Sequence, residues 1–284
     1  MADANSVPWY ERLVTVDRRV IYIVLAAAVL LPVVVDISVK TSLSPEVRAV
    51  HSFVGAMQPG EVLYLAIDYD PSAMAELQPM AEAILRQAFE RDARVILTAL
   101  SQNGPGMAAE LVERISSELG KQRDQDWCFL GYKPYPAITI LAMGSDFRVP
   151  FPTDYYGTPT DRIPMMRDIR NYDDVAAVIS IGAGNVADYW LQYGQAKYGM
   201  KLALGVTGVM ASDYYPYLQS GQLFGLLPGG KGAAEYEQLV GRPGDGSRYM
   251  PFQVTTHIVI LAFIVLSNIG YVAQRRARAR MRTR

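Results

Sequence analysis

The chain has 284 residues, half of them hydrophobic and 19% charged, with a formal net charge of −1. That length suits one large domain or two small ones, and the composition suits a globular core. A near-neutral balance excludes an overall basic field that would recruit nucleic acid. The one cysteine, Cys128, excludes an intrachain disulfide and a cysteine-built zinc site. Between Trp127 and Phe129 its thiol is expected to be buried and inert.

Residues 1–19 form a polar N-terminal segment. Val20–Val35 then runs as 16 unbroken apolar residues, about 24 Å as a helix. Extended through Asp36-Ile37-Ser38-Val39 it reaches the length a bilayer core of about 30 Å requires, so residues 20–39 are predicted to be a first transmembrane helix. A cleaved signal peptide is the rival reading. The long preceding region with Glu11 and Asp17, and the lack of a small-x-small site afterwards, favour a retained anchor.

Between the anchors, residues 40–249 alternate strand and helix patterns. Ser44 and Pro45 open a helix to Met57 as cap and first helical residue. Apolar runs at Val62–Ile67, Arg94–Leu100, Ile138–Met143, Ala176–Ile181 and Lys201–Val206 read as doubly covered parallel strands. Helical spacing places Met74, Leu77, Met80, Ala81, Ile84, Leu85 and Ala88 on one face, with a kink or restart expected at Pro79. Further helices are expected at Met107–Leu119 and Val186–Tyr198. The pattern is α/β, a largely parallel, Rossmann-like sheet with flanking helices. Gly144–Asp174 is long and rich in Pro and Tyr, as lids and binding arms are, and Gly241–Arg248 reads as a flexible linker.

Residues 250–273 are the second predicted span, with a fully apolar centre at Ile258–Leu266. Residues 274–284 carry six arginines and no acid. The positive-inside rule assigns this tail, and with Arg12, Arg18 and Arg19 the N-terminus, to the cytoplasm. Residues 40–249 then lie outside the inner membrane. A buried core helix is the competing reading for each span; basic residues on both terminal flanks favour the membrane.

Asp70-Pro71 suits a helix cap with a first-turn proline, whereas Asp68 has no such explanation; two carboxylates two residues apart on a strand point the same way and would suit a cation, but no third oxygen ligand is evident and structural roles are the simpler reading. Gly182-Ala183-Gly184-Asn185-Val186-Ala187 fits a dinucleotide-type glycine turn between strand and helix. Thr207, not an acid, stands where the ribose-binding residue belongs, so a tight turn capped by Asn185 is the simpler account and no cofactor is expected. Asp68, Gly182, Gly184, Asn185 and Thr207 remain the candidate ligand residues. Gly225–Gly232 resembles a phosphate loop with Lys231 in place, but Gly232 replaces the hydroxyl residue and no preceding strand is evident. With two histidines in the chain, and only His51 outside the spans, neither a histidine-based catalytic centre nor a metal site is expected. Tyr155-Tyr156 and Tyr214, Tyr215 and Tyr217 are the candidate interface residues; packing at the rim of the core or contact with lipid headgroups is the alternative.

A membrane helix followed by DISVKTSLSPEVRAVHSFV, a strand and βα units resembles membrane-anchored accessory proteins of ABC-type export and gliding systems. The likeness covers Asp36–Leu100, and Leu43-Ser44-Pro45 is its local motif. It implies an accessory role and carries over no catalytic residue. The expectation is therefore a membrane-anchored binding or scaffold module outside the cytoplasm, an accessory subunit partnered by lipid and by copies of itself or other membrane proteins, with no enzymatic role. The alternative is a ligand receptor or enzyme using the strand ends near Asp68 and Gly182.

Overall fold

The computed structural model describes residues 8–35 and 42–282. Two compact units make up the chain: Thr41–Arg248, and Met1–Lys40 with Tyr249–Arg284.

Six parallel strands form the centre of the Thr41–Arg248 unit: β1 (Val62–Asp68), β2 (Arg94–Ala99), β3 (Trp127–Tyr132), β4 (Ala177–Gly182), β5 (Leu202–Val206) and β6 (Leu223–Pro228). Their order is β3-β2-β1-β4-β5-β6, that of doubly wound sheets whose direction switches between β1 and β4. Every residue of β1, β4 and β5 is buried. Successive side chains enter opposite cores. Leu63, Leu65 and Ile67 face the core covered by α3 (Pro45–Gly55), α4 (Met74–Glu90), α5 (Gly104–Leu119) and α10 (Gly229–Leu239). Val62, Tyr64 and Ala66 face the other core, covered by α6 (Pro136–Met143), the segment 144–174, the helical run 186–198 and α9 (Ala211–Gln219). That helical run comprises α7 (Val186–Tyr189), a π-helical turn at Trp190–Gln195 and α8 (Ala196–Tyr198).

Several sequence expectations change here. Ile138–Met143 lies in α6, not in a strand; Pro136 in the first turn presets the helical φ, and the run Ile138-Thr139-Ile140 only mimics a strand. β3 and β6 are additional strands. α4 runs through Pro79 without a break. Segment 144–174 is a covering layer rather than a free lid, since Phe147, Phe151, Ile163, Met166 and Tyr172 are buried. Tyr155 N donates to Phe129 O at 2.9 Å, which covers the outer edge of β3.

The proposed flexible linker is held at its far end. Glu237 of α10 is buried, and its carboxylate accepts from Gly244 N (2.8 Å), Gly246 N (2.9 Å), Ser247 N (2.7 Å) and Ser247 Oγ (2.6 Å). These donors include the first turn of α11 (Asp245–Arg282), whose amides lack helical partners and favour a negative charge. Two residues earlier, the fully buried Glu235 accepts from Ser44 N (2.7 Å) and Ser44 Oγ (2.9 Å), and Lys231 Nζ donates to the same carboxylate. Ser44 occupies the cap position of α3, but its hydroxyl makes no bond to its own helix.

In the other unit lie α1 (Trp9–Val14), α2 (Arg18–Val34) and most of α11. Among the described residues, α11 is the one helix long and apolar enough to cross a membrane, and little of it is buried. α2 has 17 residues; the continuation of its predicted span, 36–39, lies outside the described residues. Pro32 has no N–H to offer the carbonyl of Ala28. Thr255 Oγ1 of α11 lies 2.9 Å from that oxygen and can donate to it. Gly270 lets α11 meet α1, since a Cβ there would lie 2.9 Å from Leu13 Cβ.

Replacing Glu237 with Ala strands buried amide donors. The full chain in detergent is expected to lose roughly 3 kcal/mol of stability, with faster amide exchange at Gly246 and Ser247. Unchanged exchange at those two amides would show that Glu237 does not hold the start of α11.

Candidate functional site

The ends of β1, β4 and β5 lie side by side, so the fold brings Asp68, Gly182, Gly184, Asn185 and Thr207 to one edge. Asp68 pairs in register with Gly182, and Gly182 with Val206, the residue before Thr207. This is the switch-point edge, where open α/β sheets bind ligands.

Asp68 is 1% exposed. Its Oδ1 accepts from Leu100 N at 2.5 Å and Ser101 N at 3.2 Å, and Trp190 Nε1 donates to Oδ2 over a long 3.5 Å. The carboxylate thus ties β1 to the turn after β2 and to the π-helical turn after β4. A Cβ at Gly182 would lie 3.1 Å from Asp68 Cβ, so the glycine allows this close approach. Gly184 adopts φ +74° in an exposed turn. Asn185 does not cap its helix as expected; its Nδ2 reaches Tyr189 OH at 3.4 Å. Thr207 O accepts from Met210 N in the turn into α9.

Beneath this edge is a small polar patch in the second core. Thr98, Ala66 and Ser180 lie abreast on β2, β1 and β4. Tyr64 OH and Thr98 Oγ1 are 2.7 Å apart, whereas buried Ser180 Oγ has no partner among the described residues. Tyr64 also packs edge-on against Trp190, with ring centres 5.5 Å apart. Burial pushes the Asp68 carboxyl up to about 6, against the pull of the amide and indole donors.

Asp70 does not join Asp68 at a cation. It is solvent-facing and closes its own turn, with Oδ1 accepting from Ser72 N at 2.9 Å and Ser72 Oγ at 2.6 Å. Those bonds hold its carboxyl below the usual range. The helix it was expected to cap begins later, at Met74. Lys231 donates to Ser44 Oγ at 2.9 Å as well as to Glu235, and the loop around it is strand β6 running directly into α10. His51 packs edge-on against Tyr236 at 5.7 Å. Among the described residues no group of three or more His, Cys, Asp or Glu is arranged to hold a metal.

The tyrosines divide between opposite ends of the sheet. Tyr155, 46% exposed, packs on Phe129 at 4.7 Å. Tyr156 OH donates to Glu113 at 2.7 Å, with the Arg123 guanidinium 4.4 Å above its ring. Tyr214 is buried and donates to Asp188 at 3.1 Å; Tyr215 donates to Glu46 at 3.0 Å. Tyr217 is partly exposed, 6.4 Å from the Tyr214 ring.

A second candidate site was missed in the sequence. A cleft of about 710 Å³ opens among α4, α5, α10 and residues 240–248. Glu82 accepts from Arg114 at 2.8 and 3.2 Å and from Arg86 at 3.0 Å. Burial opposes ionisation of Glu82, but these guanidinium bonds hold its carboxyl below the usual range. The available signal was the i,i+4 spacing of Glu82, Arg86 and Glu90 on one helix, which reads equally well as a solvated face. Compared with family models, curated proteins and solved structures, the chain gives no match.

Because the Asp68 pKa is raised from 3.8 to about 6, the folded state binds its proton more tightly than the unfolded chain. Its contribution is therefore most favourable below pH 3.8 and is lost as pH rises through about 6. Asp68→Asn is expected to remove a stability change of about 3 kcal/mol across that window. Thermal unfolding of both full chains across the range measures the difference; parallel profiles would refute this assignment.

Proposed function

We propose that the chain is a two-span inner-membrane protein with cytoplasmic termini, displaying its α/β unit outside the cytoplasm as a binding or scaffold module. Its role is that of an accessory subunit in an oligomeric envelope or transport complex. The carrying observation is the apolar surface of α2 and α11. Ile23, Leu30 and Val33 on one, and Ile258, Leu261 and Val265 on the other, are each more than half exposed. A soluble protein would cover such rows, whereas hydrocarbon solvates them. The Ala28 carbonyl freed by Pro32 and met by Thr255 also suits a membrane, where threonine side chains satisfy such groups in place of water. Arginines 12, 18 and 19 at one end and the arginine tail at the other support cytoplasmic termini.

A second reading, a ligand receptor or enzyme working at the strand ends, is favoured by the sheet order and by Asp68 and Gly182 meeting at its switch point. It requires Asp68 to exchange its present partners for a ligand.

Cys128 is fully buried and leaves a silent background for thiol labelling. Asp173→Cys, at an exposed position, is expected to react with an impermeant maleimide on intact cells, and Arg278→Cys only after permeabilisation. The reverse pattern would invert the topology, and labelling of neither before permeabilisation would remove the domain from the outside. For the assembly role, Tyr155→Ala with Tyr217→Ala is expected to reduce complex size in native mass measurement while the chain stays folded, with a modest fall in unfolding temperature from the lost ring packing. An unchanged complex would count against those tyrosines.

A further inference from the structure

We infer that α11 pairs with the same helix of a second copy of this chain, along the row Ile258, Leu261, Val265, Asn268 and Val272. This rests on the membrane reading above.

The row follows a heptad pattern. Ile258, Val265 and Val272 recur at one position, and Leu261 and Asn268 recur three residues later. Alternating steps of three and four residues make the seam of a left-handed helix pair, and β-branched residues alternating with leucine favour two strands. All five residues are exposed, so neither α1 nor α2 covers the row. The contacts within the unit use other sides of α11: Gly270 lies against Leu13, and Thr255 reaches the Ala28 carbonyl. Asn268 stands two residues before Gly270, about 200° round the helix.

An apolar row alone selects no occupant, because lipid tails cover it as well as another helix does. Asn268 decides the matter. Its Nδ2 donates to Ile264 O at 2.8 Å, one turn back. Among the described residues its side chain makes no other hydrogen bond, which leaves one N–H and the amide oxygen. Arg275 follows seven residues later, about 10 Å along the helix. The headgroup layer is only about 5–8 Å deep, so the amide lies in hydrocarbon, where water offers it no partner.

A second copy supplies that partner. Copies in one membrane share an orientation, so a two-fold axis along the membrane normal sets their helices parallel and in register. Each residue of the row then meets its own counterpart. An amide both donates and accepts, so two copies of Asn268 satisfy each other. The seam stops at Val272, because Arg275 is the next position of the row and like charges would face one another there.

The test uses the full chain in its own membranes, where buried Cys128 is silent. Single cysteines are oxidised with copper phenanthroline, and dimers are read on a non-reducing gel. Ile258→Cys, Leu261→Cys, Val265→Cys and Val272→Cys are expected to cross-link strongly. Ile260→Cys and Ser267→Cys, on the far side of the helix, should give roughly fivefold less dimer. In mild detergent, Asn268→Leu should weaken the dimer seen by native mass spectrometry roughly tenfold, equivalent to about 1.4 kcal/mol, whereas Asn268→Gln should keep it. Equal cross-linking on both sides, or a dimer unchanged by Asn268→Leu, overturns the inference. A monomer that cross-links nowhere leaves the row to lipid, and cross-links to a different protein give it to another partner; either result also overturns it. Flotation with vesicles after carbonate washing tests the membrane reading separately. A chain that floats without pairing rejects only the seam, while failure to float rejects both.

Discussion

A parallel sheet has to be covered on both faces, and most of this molecule follows from that requirement. Each strand must be apolar on both sides, and each crossover must supply a layer of cover. Helices supply most of it, but on the second face α6 is short and segment 144–174 completes the layer with Phe147, Phe151 and Tyr172. The same requirement makes the strand ends critical. A polar side chain that closes a buried strand must find donors there, and Asp68 finds them in Leu100, Ser101 and Trp190.

This arrangement changes the balance between the two candidate sites. The strand-end residues do assemble at the switch point, but the Asp68 carboxylate there is already taken by Leu100, Ser101 and Trp190, and the Asn185 amide reaches Tyr189. Ser180 Oγ is the unsatisfied atom of that buried patch. The cleft on the opposite helical layer is the reverse case. Arg86 and Arg114 there are bonded to Glu82, whereas Arg242 and Arg248 each make one contact and are more than half exposed.

The legibility of the chain follows the range of its interactions. β1, β2, β4 and β5 were readable because runs of Val, Ile and Leu suffice to mark a doubly buried strand. β3 contains Cys128 and Gly131, and β6 contains Gly225 and ends on Pro228, so neither displayed a comparable run. α6 was mistaken for a strand because a short apolar segment has no decisive period. The switch-point residues were findable from strand-to-helix punctuation, but the donors that satisfy Asp68 were not. Ser44 and Glu235 stand 191 residues apart, and no local pattern pairs them.

The two buried glutamates of α10 also determine how the α/β unit would meet a mechanical load. Positions two apart on a helix point about 200° away from each other. Glu235 turns toward the incoming segment at Ser44, and Glu237 toward the outgoing segment at Gly244–Ser247. Tension carried along the outgoing segment reaches α10 before it reaches the middle of the sheet. α10 follows β6, a terminal strand with a single neighbour. The first part to peel under force would be that helix and strand together, while β1 and its ties through Asp68 stayed intact. In that sense α10 is a mechanical fuse, set where the chain leaves the sheet.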